Sequence, residues 1–344
     1  MPPTACPPNR GEEETVRFEE LSYASEDEPW LKRQVIRSIE RCSNRRHLED
    51  LYEIWQATIV GRSDKIMTDL LDLLDVKLDL TARQWPLQPL PDTPLVMIAN
   101  HPFGIGDGIA VLSLAETLGR PCKVLVSKEL LRVPEFRPYA LPIDFYETRA
   151  ALETNLKTKR DALRFLKEGY TVIVFPAGGV ATAKKPFGKA EDLPWKQFPA
   201  RLIQQGRASV LPVYFHGQNS WVFHLASHVS ATLRTSLLIR EFGRFPGSTI
   251  PVHVGNLVPY EEFGAIRNRK ILTQYLHERV FEMAPAEQRP PTLGRPPGVS
   301  PLLEPLTRSN VLASGRTLQA PRLRPTRHGQ GRGEQEQRQT GMYL

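Results

Sequence analysis

Cysteine is scarce in this chain of 344 residues. Cys6, Cys42 and Cys122 are scattered, and no two stand as a C-x-x-C pair. Zinc-finger and dithiol redox chemistry therefore drop out, and the thiols read as reduced and structural. Long apolar runs are also missing, far short of the roughly 20 residues that span a bilayer. The first residues carry Glu12-Glu13-Glu14 where a secretory signal would have an apolar core, so the expected location is cytoplasmic. No P-loop occurs and no G-x-S-x-G elbow, which argues against a nucleotide triphosphatase and a serine hydrolase of the usual α/β kind. Lysine is absent from residues 285–344, where nine Arg face four Glu, a charge of +5. That leaves only +2 of the net +7 for the remainder. So small a charge gives no case for nucleic acid, but it can assist contact with an anionic membrane surface.

What is present fits a folded domain. Hydrophobic residues make up 40% and charged residues 24%, as expected for a globular chain. Residues 1–28 are polar and read as irregular. Three helices are expected next, over 29–75. Leu31, Val35 and Ile39 mark the first, and Leu48, Leu51, Tyr52, Trp55 and Ile59 the second. The third carries Ile66, Met67, Leu70, Leu71 and Leu74, with Ser63 as its candidate cap. Its apolar face suits a core better than lipid, although lipid contact stays open. Val76 to Leu80 then switches to period two, a strand pattern. An α/β core is expected over 76–283. Its strand candidates are Leu95–Ala99, Lys123–Val126, Leu141–Ile143, Tyr170–Phe175, Ala208–Phe215 and Ile250–Val254. One helix places Leu152, Leu156, Leu163 and Leu166 on one face and ends at Gly169, and a last helix runs from about Ile266 to Met283. The alternation predicts a mixed, mostly parallel sheet flanked by helices. Residues 284–344, rich in Pro and Arg, read as a disordered basic tail.

The chemistry concentrates in Asn100-His101-Pro102-Phe103-Gly104-Ile105-Gly106-Asp107-Gly108, between a buried strand and a helix-compatible run. A lone histidine is more often a satisfied core residue than a catalyst. A histidine and a carboxylate in one glycine turn at a strand's carboxyl end shift that balance. Such a pair can take a proton from a hydroxyl, with the carboxylate fixing the tautomer. A dinucleotide fingerprint is the rival reading. It fails because Ile109 stands where the third glycine is needed and because Asp107 would face a pyrophosphate. A second turn, Phe175-Pro176-Ala177-Gly178-Gly179-Val180, exposes backbone amides that can bind an anion. Lys184, Lys185, Lys189 and Lys196 follow it. His224 and His228 lack the glutamate of a zincin motif and read as structural.

These segments in this order resemble the phospholipid/glycerol acyltransferases, above all a soluble, haemolysin-like bacterial branch. The resemblance covers about residues 20–283. It rests on N-H-P-F-G with D-G, then L-P-I-D-F with Arg149, then V-F-P-A-G-G, then V-L-P-V-Y-F. It implies an O-acyltransferase of lysophospholipids or related lysolipids, with His101 as general base and Asp107 as its orienting partner. It implies an acyl-CoA or acyl-carrier-protein thioester as co-substrate, with neither a metal nor a bound cofactor. Asn100, Gly104, Arg149, Phe175, Pro176, Gly178, Gly179, Lys184, Lys185 and Lys196 are the expected substrate-binding positions. Amides near Gly104 or Gly178 are the expected oxyanion donors. Peripheral contact with the inner face of the membrane follows from a lipid acceptor, and the oligomeric state stays open.

The chain departs from the family pattern in two places. Five residues separate His101 from Asp107 where the family has four, which puts Gly106 at the usual acidic position and suggests a looped-out glycine. Ala177 replaces the Glu of F-P-E-G, and the Arg that follows it in the family is absent. Other cations then serve a phosphate, or the acceptor lacks one and is an aminoacyl lipid such as lyso-ornithine lipid. A non-catalytic, membrane-associated lipid-binding or haemolysin-like protein is the alternative, although it has no use for a His–Asp pair.

Overall fold

The strand Leu95–Ala99 is buried at all five positions, as an apolar run with helices on both sides should be. The computed structural model describes residues 45–146, 148–185 and 187–289. The expected segment 1–28 and the helix marked by Leu31, Val35 and Ile39 lie outside them, as does most of the expected tail. The described residues open with helices α1 (Arg45–Thr58) and α2 (Ile66–Leu73) and strand β1 (Lys77–Ala82). There follow β2 (Leu95–Ala99), α3 (Ile105–Glu116), β3 (Cys122–Ser127), β4 (Ala140–Ile143), α4 (Arg149–Lys167) and β5 (Thr171–Val174). A short hairpin of β6 (Thr182–Ala183) and β7 (Ala190–Glu191) leads to α5 (Phe198–Gly206) and β8 (Ser209–Phe215). The chain continues through α6 (Trp221–Val229), α7 (Ala231–Phe242), β9 (Thr249–Val254), α8 (Tyr260–Phe263) and α9 (Arg269–Phe281).

Seven strands form one sheet in the order β1-β9-β8-β2-β5-β3-β4. Every neighbouring pair is parallel except β8 and β9. The mixed, mostly parallel sheet flanked by helices is therefore as the pattern predicted. Period-two alternation divides β2 between two cores. Leu95, Met97 and Ala99 pack toward α1, α2 and α3. Val96 and Ile98 pack toward α4, α5 and α9. Because β2, β3, β4, β5 and β8 run the same way, the segments after them emerge along one carboxyl edge of the sheet.

Three local expectations change. Ser63 does not cap α2; its Oγ accepts the Lys65 N–H. The cap comes from α3, where Glu116 accepts the N–H groups of Met67 and Thr68 at 2.9 and 3.0 Å. A carboxylate from a neighbouring helix does the work of a local side chain. On α4 the buried positions are Ala151, Thr158, Ala162 and Leu166, whereas Leu152 and Leu156 are exposed. The hairpin β6–β7 has strands of two residues, too short for any periodicity to show. Gly169 follows α4 at φ +86°, the left-handed turn its glycine suggested. Past residue 284 the described chain stays attached: the Tyr214 hydroxyl donates to Gln288 Oε1 and Arg289 Nε to the Ala284 carbonyl.

Candidate active site

The strand β2 ends at Ala99, and the next residue is locked in place. Buried Asn100 donates from Nδ2 to the Phe215 carbonyl (2.9 Å) and accepts the Phe215 N–H (2.7 Å). Its side chain is spent on β8, so it fixes the turn's origin.

His101 follows on a backbone held from both sides. Its N–H donates to Asp192 Oδ1 at 3.1 Å, and its carbonyl accepts the Ala181 N–H at 2.7 Å. The ring stacks on Phe175, with centroids 4.1 Å apart. Nδ1 lies 2.9 Å from Asp107 Oδ1, with the histidine side chain 17% exposed and the aspartate fully buried. Neither atom makes a well-aligned hydrogen bond. Such contacts often tighten only when substrate binds.

Of the two glycines between His101 and Asp107, Gly104 makes the turn, at φ +83° just before α3. Gly106 lies inside the helix, where a Cβ would meet the Phe245 ring at 2.7 Å. Asp107 is thereby the third residue of α3. Its Oδ2 accepts the Phe103 N–H at 2.9 Å, a reach-back resembling a capping box. One carboxylate thus closes the helix start and faces the imidazole, where the helix dipole also favours negative charge.

The second turn lies against the first. Phe175 carries the His101 ring, and the Pro176 carbonyl accepts the Lys196 N–H at 2.9 Å. Ala177 is buried. Gly178 turns at φ +69° and commits its N–H to the Phe175 carbonyl. That removes it as an oxyanion donor and leaves the first-turn amides of α3, which no side chain caps.

The predicted cations stand outside. Arg149 is 93% exposed and pairs with Glu153; Lys184 is 81% exposed and pairs with Glu191 at 2.7 Å. Lys185 and Lys196 are exposed too. The Leu141–Asp144 segment forms β4 and its end. Asp144 accepts from Lys128 Nζ at 2.7 Å, and that ammonium holds its carboxyl below the usual carboxylate range. His224 and His228 are structural, as expected. Their rings flank Ala183, one accepting its N–H at 3.3 Å and the other 2.9 Å from its carbonyl.

Two residues escaped the sequence. Asp192 spans His101 and Trp195, whose Nε1–H donates to its Oδ2 at 3.0 Å. Burial pushes its carboxyl up, against the pull of those donors. Arg234 reaches in from α7 and donates to the Val180 carbonyl. Burial lowers its pKa. Asp192 lies 91 residues from His101 and Arg234 54 residues from Val180, so no local motif holds them.

A strand, a glycine turn with an inward His–Asp pair, and a second glycine turn stacked beneath it make up the candidate site. The acyltransferase family model matches residues 87–242, a span that holds all of it. Among particular relatives, a lyso-glycine lipid O-acyltransferase of Bacteroides thetaiotaomicron is 27% identical over 236 residues. That match covers 64% of this chain and 81% of the relative. The corresponding protein of Phocaeicola vulgatus is 23% identical over 226 residues, covering 62% and 75%. The crystal structure of the 1-acyl-sn-glycerophosphate acyltransferase PlsC from Thermotoga maritima matches at a TM-score of 0.42 and 19% identity. It covers 64% of this chain and 75% of that one.

Proposed function

We propose that this acyltransferase moves a fatty acyl group from acyl-CoA or an acyl-carrier protein to the hydroxyl of a lysolipid. The observation that carries the reading is the 2.9 Å contact between His101 and a fully buried Asp107, set at the carboxyl edge of the sheet. Asp107 holds the proton-bearing Nδ1, which leaves Nε2 as the base. Nε2 takes the acceptor's hydroxyl proton as the oxygen attacks the thioester carbonyl. The C–O bond forms, the C–S bond breaks, and the departing thiolate receives the proton from the imidazolium. The amides opening α3, which no side chain caps, are the donors assigned to the thioester oxyanion in this reading. The relatives' names point to an amino-acid lipid, and the absence of the arginine that follows F-P-E-G in the family pattern agrees with a departure from phosphate recognition.

The same edge suits peripheral attachment to a membrane. No helix among the described residues is long and apolar enough to cross one. Phe145 and Tyr146 leave β4 62% and 64% exposed, and Phe187 stacks on Trp221 at 5.3 Å, itself 83% exposed. Arg149, Lys184 and Lys185 lie close to them in the chain, and Phe145 and Lys196 both approach Gly178. Exposed aromatics beside cations fit the interface of an anionic bilayer. The test is acylation by purified protein, followed by mass spectrometry. A lyso-glycine lipid and a lysophosphatidic acid are offered with acyl-CoA and with acyl-carrier protein. Thioester-dependent acylation of at least one acceptor supports the reading, and none with either donor refutes it.

A further inference from the structure

Among the described cations near the two glycine turns, Arg234 differs from the rest. It is half-buried, whereas Lys184, Lys185, Lys196 and Arg149 are exposed. It faces no carboxylate among the described residues. Its side-chain contacts are a hydrogen bond to the Val180 carbonyl and the face of Phe223, 5.8 Å from the ring centroid. Burial lowers its pKa with no anion to oppose the shift. One carbonyl uses one of five donors. A buried guanidinium left this way has paid desolvation without the pairing that normally offsets it.

Its position joins it to the reaction centre. Arg234 and Leu238 are one turn apart on α7. A Cβ at Gly104 would meet Leu238 at 3.0 Å and Val180 at 3.1 Å, so this face of α7 closes on both glycine turns. Val180 immediately precedes Ala181, which holds the His101 carbonyl. Gly179 offers no side chain to screen the guanidinium; a Cβ there would lie 3.7 Å from its Nη2.

We infer that Arg234 is the receptor for the acceptor's head group, and that its ligand is a carboxylate monoanion such as that of an N-acylated amino acid. This rests on the lysolipid-acceptor reading above. A planar fork fits a carboxylate through two parallel hydrogen bonds. A single cation balances one negative charge and falls short of a phosphate monoester, which carries about 1.5 to 2.

The experiment measures binding first, without turnover. Isothermal titration of wild type, Arg234→Gln and Arg234→Lys uses three probes: N-lauroylglycine, its neutral amide N-lauroylglycinamide, and the phosphate monoester dodecyl phosphate. Wild type is expected to favour the carboxylate over the amide at least tenfold, and over the phosphate. Arg234→Gln abolishes the preference, and Arg234→Lys keeps only part of it. Phenylglyoxal labelling of wild type, mapped by peptide mass, needs no variant: N-lauroylglycine protects Arg234 and the amide does not. With lyso-glycine lipid as acceptor, Arg234→Gln raises acceptor KM at least tenfold and leaves donor KM within twofold. A carboxylate preference that survives Arg234→Gln, a wild type without one, or stronger binding of dodecyl phosphate overturns the assignment. Carboxylate-selective binding without any acylation keeps Arg234 as an anion receptor and refutes the acyl-transfer reading instead. Acylation without carboxylate selectivity does the reverse.

Discussion

The turn after β2 directs its charge inward, and the segment after β5 spreads its charge outward. In the first, a half-buried His101 just before α3 meets a buried Asp107 in its first turn, and the two are pinned by Asn100, Phe103 and Ala181. In the second, Lys184, Lys185 and Lys196 stand in solvent, and Lys184 is balanced by an exposed glutamate. Charges held out of water and in fixed directions act strongly on whatever binds between them. Exposed pairs are screened and contribute within about 1 kcal/mol. The contrast supports the proposal made above, with the chemistry at the first turn and surface attachment at the second.

The largest effect belongs to the inward pair. His101→Ala should lower thioester-dependent acylation by a factor of about 10² to 10⁴, the usual general-base contribution. Its melting temperature should stay near that of wild type, because the side chain lies in a turn. Steady-state rates with circular dichroism melts check both halves.

Acid should reach the second segment from behind. Trp195, which holds Asp192, lies edge-on to His277, and His277 stacks on Phe281 at 4.2 Å. Burial pulls the His277 imidazole down to about 4. In the unfolded chain a histidine takes its proton near pH 6.5. Between those values the unfolded state holds a proton that the folded state lacks, so stability is complete above about pH 6.5 and drains away toward pH 4. The whole drop is at most about 3 kcal/mol. Melts of His277→Phe across pH 4 to 7 should show a flatter profile than wild type, and an equally steep one would place the acid sensitivity elsewhere.

Gly106→Ala tests how the first turn is built. The new Cβ meets Phe245 at 2.7 Å, and such overpacking typically costs about 1–3 kcal/mol. Chemical denaturation should show that loss, with a fall in kcat as α3 and Asp107 shift. If Gly106 were looped out, alanine would be tolerated.

The smallest effect per residue is expected at the rim. Each of Arg149→Gln, Lys185→Gln and Lys196→Gln should weaken attachment to phosphatidylserine vesicles by about 1 kcal/mol. Folding stability should hardly change. Co-sedimentation at low and high salt reads this, and salt-independent binding would move the membrane contact off these cations.

The sequence made the first turn legible because its parts are neighbours in the chain. Seven positions carry the base, the carboxylate and the glycine that lets one reach the other. The central strands were legible too, since burial on both faces writes continuous apolar runs such as Leu95–Ala99. The cap on α2 was not, because Glu116 comes from another helix. Asp192 and Arg234 were hidden for the same reason: common residue types, brought in across the fold, with no pattern of their own. On α4, leucine spacing pointed to Leu152 and Leu156, yet small residues face the sheet because the helix packs closely there. Surface aromatics such as Phe145 and Phe187 were read past, since sequence alone does not separate an exposed ring from a buried one.

A double-mutant cycle on His101 and Asp107 tests the central claim most directly. Wild type, His101→Ala, Asp107→Asn and the double variant are compared in thioester-dependent acylation of a lysolipid, each shown to be folded by circular dichroism. Residues that act as one unit lose their effect once. The account predicts large losses in both single variants, with the double variant within about threefold of His101→Ala. Wild-type turnover in folded His101→Ala, or losses that multiply in the double variant, would contradict it.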